Sequence, residues 1–379
     1  MEGGSQPQKK TVQAEIGPVM PQKNEGVKNL VEGFEKLYYA AGTVTKASRF
    51  ARSSEDTEGR ERPFFLRAHR ADLYNKLEGL DREGKEKVIA EAHIRDNIAE
   101  QYLNQKELKL HFSDYGDLGA RMVDMIPPES LRTPENKNLP PVFLIPGIAN
   151  DIEVVNNMAC EIVMQGRRVV VLAQPESIKG HITPEFAEAV EKAETFEPHA
   201  EFFGEALKHI FKGEESFELW GFSTGGAIAA LLLKDPEFQD KVKKAVLIAP
   251  AGFVKQSSMS LNLGLIQDMG IFKNKNSAHF IWGHGFEKNE QLKLHDEVMG
   301  SLIKKITQAN DNWKDARVKE GGNILIVNGG KDMVTKSAAI DGEYKLNPQM
   351  RVLDLPNAYH MTPQLEAETI IPEILEKQS

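Results

Sequence analysis

Cysteine is almost absent. Cys160 is the single one in 379 residues, so no intramolecular disulfide can form and a secreted disulfide scaffold is excluded. Long apolar runs are missing too: the longest, such as residues 227–233, fall far short of the roughly 20 residues a membrane-spanning helix needs. Residues 1–20 are polar and lack the apolar stretch of a secretory leader, so the expected location is cytoplasmic. Positive charge is in deficit, with 47 Lys and Arg against 56 Asp and Glu and a formal net charge of −9. Nucleic-acid binding as the main role would need a basic face to displace counterions, and this balance argues against it. There is no Gly-x-Gly-x-x-Gly opening an N-terminal βαβ unit, no Walker loop and no His-Glu-x-x-His. What remains is ordinary for a globular chain, 40% hydrophobic and 27% charged, and long enough to bury a sizeable core.

Residues 1–27 show no apolar period and read as a flexible tail. Helical periodicity follows, with Leu30, Phe34, Leu37, Tyr38 and Ala41 on one face and a second pattern over 84–104. Between them, residues 47–70 mix charges of both signs and read as a solvated face or loop. Near residue 107 the period changes to two: Leu108, Leu110 and Phe112 alternate with Lys109, His111 and Ser113, and residues 120–126 read as a second strand. Continuous apolar runs then recur at 142–145, 168–172, 217–220, 245–249, 324–327 and 351–353, with helical patterns between most of them. Runs without alternation are what strands buried on both faces look like, so the expected fold class is α/β, a mostly parallel sheet with helices on both faces and an antiparallel edge. About seventy residues separate the strand ending at Ala249 from the next near Asn323. A plain connection needs far fewer. The interval holds Leu263, Leu265, Ile266, Phe272, Phe280, Ile281, Trp282 and Phe286 with helical texture over 288–309, and reads as an inserted helical lid. The expected organisation is a tail over 1–27, a helical extension over 28–106, a core over 107–251 and 316–379, and a lid over 252–315.

The strongest chemical signal is Gly221-Phe222-Ser223-Thr224-Gly225, set between a strand and a small, apolar helix. A sharp strand-to-helix turn strains the serine backbone and brings neighbouring elements too close for side chains, which is why Gly221 and Gly225 flank it. Ser223 would project its hydroxyl at the positive end of the following helix. A serine hydroxyl needs a base to take its proton, and the base needs a carboxylate to hold its tautomer. In the elbow architecture they follow in the order serine, acid, histidine. Asp332 stands in the loop Gly329-Gly330-Lys331-Asp332 after a strand, with Asp354 and Asp341 as rivals and a helix N-cap as its bland alternative. Of ten histidines only His360 follows Asp332, in the loop after the last strand; His111, His199, His209, His279 and His284 read as surface or packing residues. An oxyanion hole needs backbone N–H groups facing the developing charge. Thr224 is expected to supply one and Ile148, in Pro146-Gly147-Ile148-Ala149-Asn150, the other, with Ala149 as alternative. Cys160 reads as a packing thiol.

These residues make the chain resemble the α/β-hydrolase family over about 108–375. The resemblance implies a sheet of eight strands, a lid inserted after the sixth, and no metal or organic cofactor. One departure is that Pro146-Gly147 stands where many members carry His-Gly. The expected function is a carboxylesterase-like serine hydrolase cleaving an ester or thioester with an apolar group from a small-molecule acyl substrate. Peptide, C–C bond and acyl-transfer chemistry on the same residues stay open, as does a non-catalytic binding or scaffold role. The N-terminal extension is expected to serve as a second lid, a homo-oligomer contact or a protein-docking arm.

Overall fold

The computed structural model describes residues 12–18, 79–148, 152–177, 180–257, 259–261, 263–264, 290–336, 343–344 and 347–378. Among them, nine strands form one sheet: β1 (Gln13–Pro18), β2 (Lys106–Phe112), β3 (Gly116–Met125), β4 (Val142–Ile145), β5 (Val169–Leu172), β6 (Phe217–Phe222), β7 (Val242–Ile248), β8 (Asn323–Gly329) and β9 (Met350–Leu355). The order is β1-β2-β3-β5-β4-β6-β7-β8-β9. Pairing is antiparallel from β1 through β3 to β5 and parallel from β5 to β9. Every residue of β4, β5 and β6 is buried, which is why their sequences run apolar without alternation, except for Glu218 of β6, whose carboxylate is paired with Arg167. In β2, Leu108, Leu110 and Phe112 are buried while Lys109 and His111 face solvent.

The longer described helices are α1 (Arg82–Leu103), α2 (Asn156–Met164), α3 (Pro184–Lys192), α4 (Glu197–Ile210), α5 (Thr224–Leu232), α6 (Glu290–Ile306) and α7 (Ala367–Gln378). From β4 the chain steps to β5 on one side, then returns past β4 to β6 on the other. Right-handed crossovers running in opposite directions lie on opposite faces. Accordingly α2 packs with α1 and α7 in one layer, and α4 packs with α5 in the other. Such a reversal, here between the C-terminal ends of β4 and β6, is where open α/β sheets place their ligands.

The N-terminus departs from expectation. Residues 13–18 lie within the expected tail, yet they form β1 and pair with β2 from Lys106 to His111. The strand has no apolar period because it sits at the edge, where Gln13, Ala14, Glu15 and Ile16 are all exposed. Its backbone takes the hydrogen bonds that β2 would otherwise leave open. It also raises the strand count from the expected eight to nine. The expected helix over 84–104 is α1, whose N-cap Asp81 accepts from the Gly84 N–H at 2.8 Å. It docks on the core directly: Arg95 forks onto Glu161 of α2, and the Gln101 amide bonds the Ile126 backbone in both directions at 2.7 and 2.8 Å. Residues 28–78, with the helical face from Leu30 to Ala41 and the mixed charges of 47–70, lie outside the described residues.

Between β7 and β8, α6 coincides with the helical texture expected over 288–309 and packs on α3. Lys305 donates to the Ala193 carbonyl and His295 reaches the Glu176 carbonyl, so α6 is pinned at two points. Residues 265–289, with Leu265, Ile266, Phe272, His279, Phe280, Ile281, Trp282, His284 and Phe286, lie outside the described residues. His199 of α4 is buried, its Nε2 3.0 Å from Glu176 Oε2. Cys160 on α2 is a thiol packed against the core: burial, with Glu161 adding to it and Arg95 opposing, pushes its pKa up to about 12. No helix among the described residues is long and apolar enough to cross a membrane.

Candidate active site

β6 delivers Ser223 to the C-terminal edge of the sheet through a forced turn. Ser223 has φ 56 and ψ −119, one of three non-glycine residues with positive φ among the described residues. Such a backbone costs on the order of 1–3 kcal/mol and persists only where its surroundings over-determine it. They do so here. The Ser223 N–H donates to the Ile248 carbonyl at 2.8 Å, and its own carbonyl accepts from Gly226 and Ala251, both at 3.0 Å. The flanking glycines are compelled by contact: a Cβ at Gly221 would lie 2.2 Å from the Gly225 oxygen, and one at Gly225 would lie 2.2 Å from the Ile145 oxygen. The start of α5 is therefore pressed against the end of β4, so Thr224 opens the helix beside the loop that carries Pro146, Gly147 and Ile148. Ala149 and Asn150 of that loop lie outside the described residues.

His360 comes from the loop after β9, between Tyr359 and the one-turn helix Thr362–Leu365. The Tyr359 N–H donates to Thr362 Oγ1 at 2.8 Å, and the imidazole lies beside the Phe222 ring with centroids 5.0 Å apart. Its Nε2 is 3.0 Å from Ser223 Oγ, and its Nδ1 is 2.9 Å from Asp332 Oδ2. Asp332 sits in the loop after β8, which is tied to the histidine loop by a bond from the Lys331 N–H to the Ala358 carbonyl at 2.9 Å. A carboxylate facing Nδ1 requires the proton there, which leaves Nε2 bare to accept from the serine hydroxyl. The three side chains are sequestered, with Ser223 and His360 each 5% exposed and Asp332 6%.

Asp332 is an ionised group under cover. Burial drives its carboxyl upward, but the charge and hydrogen bond of His360, with the Thr335 N–H and hydroxyl, outweigh burial and hold it below its ordinary value of 3.8. Oδ1 accepts from the Val334 and Thr335 N–H groups at 2.8 and 3.0 Å, and Oδ2 from Thr335 Oγ1 at 2.8 Å. One oxygen closes a local turn, the role its bland reading anticipates, while the other faces His360. Thr335 is a member of the site that sequence reasoning misses, although a hydroxyl three residues after an aspartate is a recognisable turn signal. The rival Asp354 lies on β9 and accepts from Asn328 Nδ2 at 3.3 Å, and Asp341 lies outside the described residues.

A mostly parallel sheet thus carries a strained serine after β6, an aspartate after β8 and a histidine after β9, all at one edge and in the chain order serine, aspartate, histidine. The chain has the α/β-hydrolase fold. No protein-family model matches it, and no curated protein does. Solved structures of the hydrolase fold resemble it distantly. A putative lipase from Acinetobacter baumannii AYE is 17% identical, with 75% of this chain and 95% of that one covered and a TM-score of 0.49. A bacterial membrane phospholipase A is 16% identical over 92% and 98%, with a TM-score of 0.47. A thioesterase domain from the curacin biosynthetic pathway is 13% identical over 72% and 99%, with a TM-score of 0.46. Among the described residues, no group of three or more His, Cys, Asp or Glu is arranged to hold a metal ion.

Proposed function

We propose that this chain is a serine hydrolase that cleaves a carboxylic ester or thioester bearing an apolar group. The observation that carries the reading is the buried line from Ser223 Oγ through His360 to Asp332, with links of 3.0 and 2.9 Å. In this scheme Ser223 Oγ attacks the acyl carbonyl as its proton passes to His360 Nε2, and Asp332 steadies the imidazolium. The N–H groups of Thr224 and Ile148 receive the oxyanion. The tetrahedral intermediate collapses as His360 returns the proton to the leaving alcohol or thiol. Water, activated by the same histidine, then releases the acid and restores Ser223. An apolar group is supported by exposed Leu263, Met333 and Tyr359: Gly264 lies against the Met333 backbone beside Asp332, and Tyr359 adjoins His360. The segment over 252–315 serves as the lid in this reading.

The test is substrate-agnostic. A fluorophosphonate probe is expected to form one adduct, located by mass spectrometry on Ser223, that is absent from Ser223→Ala and His360→Ala. Folded protein that takes no adduct on Ser223 would reject the reading and favour a binding or scaffold role. The pH profile is a second check. Because Asp332 lies below its ordinary value, it stays ionised through the range in which histidines titrate, about pH 6.5. The acid limb of kcat/KM is therefore expected to rise with pH with the slope of a single proton. A slope of two, or no change between pH 5 and 8, counts against His360 as the lone titrating base.

A further inference from the structure

Beside the loop that follows β4, Gln174 combines deep burial with an unbalanced amide. It lies two residues beyond β5, is 1% exposed, and sends Nε2 to the Pro146 carbonyl oxygen at 2.8 Å, while its Oε1 has no hydrogen-bond partner among the described residues. A carbonyl acceptor dictates which way round the amide sits, because reversing it would set two oxygens face to face. Gln174 itself is held firmly. The Ala173 N–H donates to the Arg121 carbonyl at 2.8 Å, and the Gln174 carbonyl accepts from the Ser177 N–H at 3.0 Å.

We infer that Gln174 is a positioning residue for the oxyanion loop, its amide N–H locking the Pro146–Gly147 peptide plane and so the loop that carries Ile148. The inference rests on the hydrolase reading above. A peptide group is planar, so fixing the Pro146 carbonyl also fixes the Gly147 N–H, which points the opposite way. Glycine imposes no steric preference of its own at that plane, and without an outside restraint the plane can turn. The carbonyl is confined from the other side by Gly225, where a Cβ would come within 2.6 Å of the Pro146 oxygen. Gln174 thus supplies a side-chain restraint from β5 on a loop that leaves β4, its neighbour in the sheet. The glutamine leaves a buried carbonyl unsatisfied, a disadvantage that an apolar side chain of equal length would not have.

The decisive comparison is Gln174→Met, which keeps the length and removes the donor, against Gln174→His, whose ring N–H restores one. Each is assayed for kcat, KM, fluorophosphonate labelling rate and melting temperature. Gln174→Met is expected to lower kcat and labelling by about 10- to 100-fold, less than outright loss of an oxyanion donor. KM should stay within about twofold and the melting temperature should hold or rise. Gln174→His should recover part of the loss. If wild-type protein labels and Gln174→Met labels equally fast, the assignment to Gln174 is overturned while the hydrolase reading stands. A fall in kcat that comes with a lower melting temperature and no recovery in Gln174→His makes Gln174 a packing residue and also overturns it. Wild-type protein that does not label overturns both.

Discussion

Ser223→Ala is expected to lower kcat by about 10⁵- to 10⁶-fold without unfolding the protein. The backbone that makes the elbow is held by a bond to the Ile248 carbonyl and bonds from the Gly226 and Ala251 N–H groups, none of which uses the serine side chain. Alanine is no bulkier than serine at the same φ of 56, so the strain is not increased. What disappears is the hydroxyl oxygen 3.0 Å from His360 Nε2 that is the nucleophile in the proposed scheme. His360→Ala should match it, because a hydroxyl with no base is as inert as a base with no hydroxyl. The double variant should be no slower than either single one, since members of such a unit are far from additive. The measurement is kcat on the best ester from a panel of graded acyl lengths, with circular dichroism to confirm the fold. A Ser223→Ala enzyme that keeps a measurable burst of acyl-enzyme, or a double variant slower by the product of the two losses, would sink the assignment.

Asp332→Asn is expected to cost about 10⁴-fold in kcat, the loss produced when the histidine tautomer is reversed. Asparagine fits the same space and can still accept from the Val334 and Thr335 N–H groups through one oxygen. Its other end is then an amide NH₂ aimed at His360 Nδ1, where a carboxylate oxygen stood at 2.9 Å. Two donors cannot share that line, so Nδ1 becomes the acceptor and the proton moves to Nε2, facing Ser223 Oγ. The base is then blocked at the atom that should receive the proton. Asp354→Asn, which among the described residues touches a bond from Asn328, should stay close to the wild-type rate. Near-normal turnover by Asp332→Asn, with a large loss in Asp354→Asn, would transfer the acid's role to β9. The substitution also has a stability signature. A carboxyl held below its ordinary value contributes stability that is complete above that value and fades as pH falls through the folded pKa. Asp332→Asn should therefore flatten the acid side of the stability curve.

What could be read from the sequence divides along physical lines. The elbow was legible because contact distances near 2.2 Å leave only glycine at positions 221 and 225, so the geometry is written in residue type. The central strands were legible for a similar reason, since burial on both faces favours apolar side chains in β4, β5 and β6, where the one charged residue, Glu218, is paired with Arg167. His360 followed from chain order together with its place in the loop after the last strand. Strand β1 was not legible, because an exposed edge is held by backbone bonds that any side chain permits. Gln174 was invisible for a different reason: its role comes from a contact 28 residues away in sequence, between loops that only the sheet order brings together. Glu176 and His199, 23 residues apart and both fully enclosed, are the same case. Two polar residues on charged stretches look like surface until the fold pairs them.

The exposed strand β1 has a practical consequence. β2 presents seven residues of regular, alternating strand, a template on which a second polypeptide could add if it stood at the border of the sheet. β1 occupies that template and is itself a poor one, because it is six residues long, carries the charge of Glu15 and ends in Gly17 and Pro18. Those few residues are expected to act as a bumper between molecules in concentrated solution. A recombinant version trimmed to begin at the first long helix would keep every residue of the candidate active site and still be prone to sticking to itself.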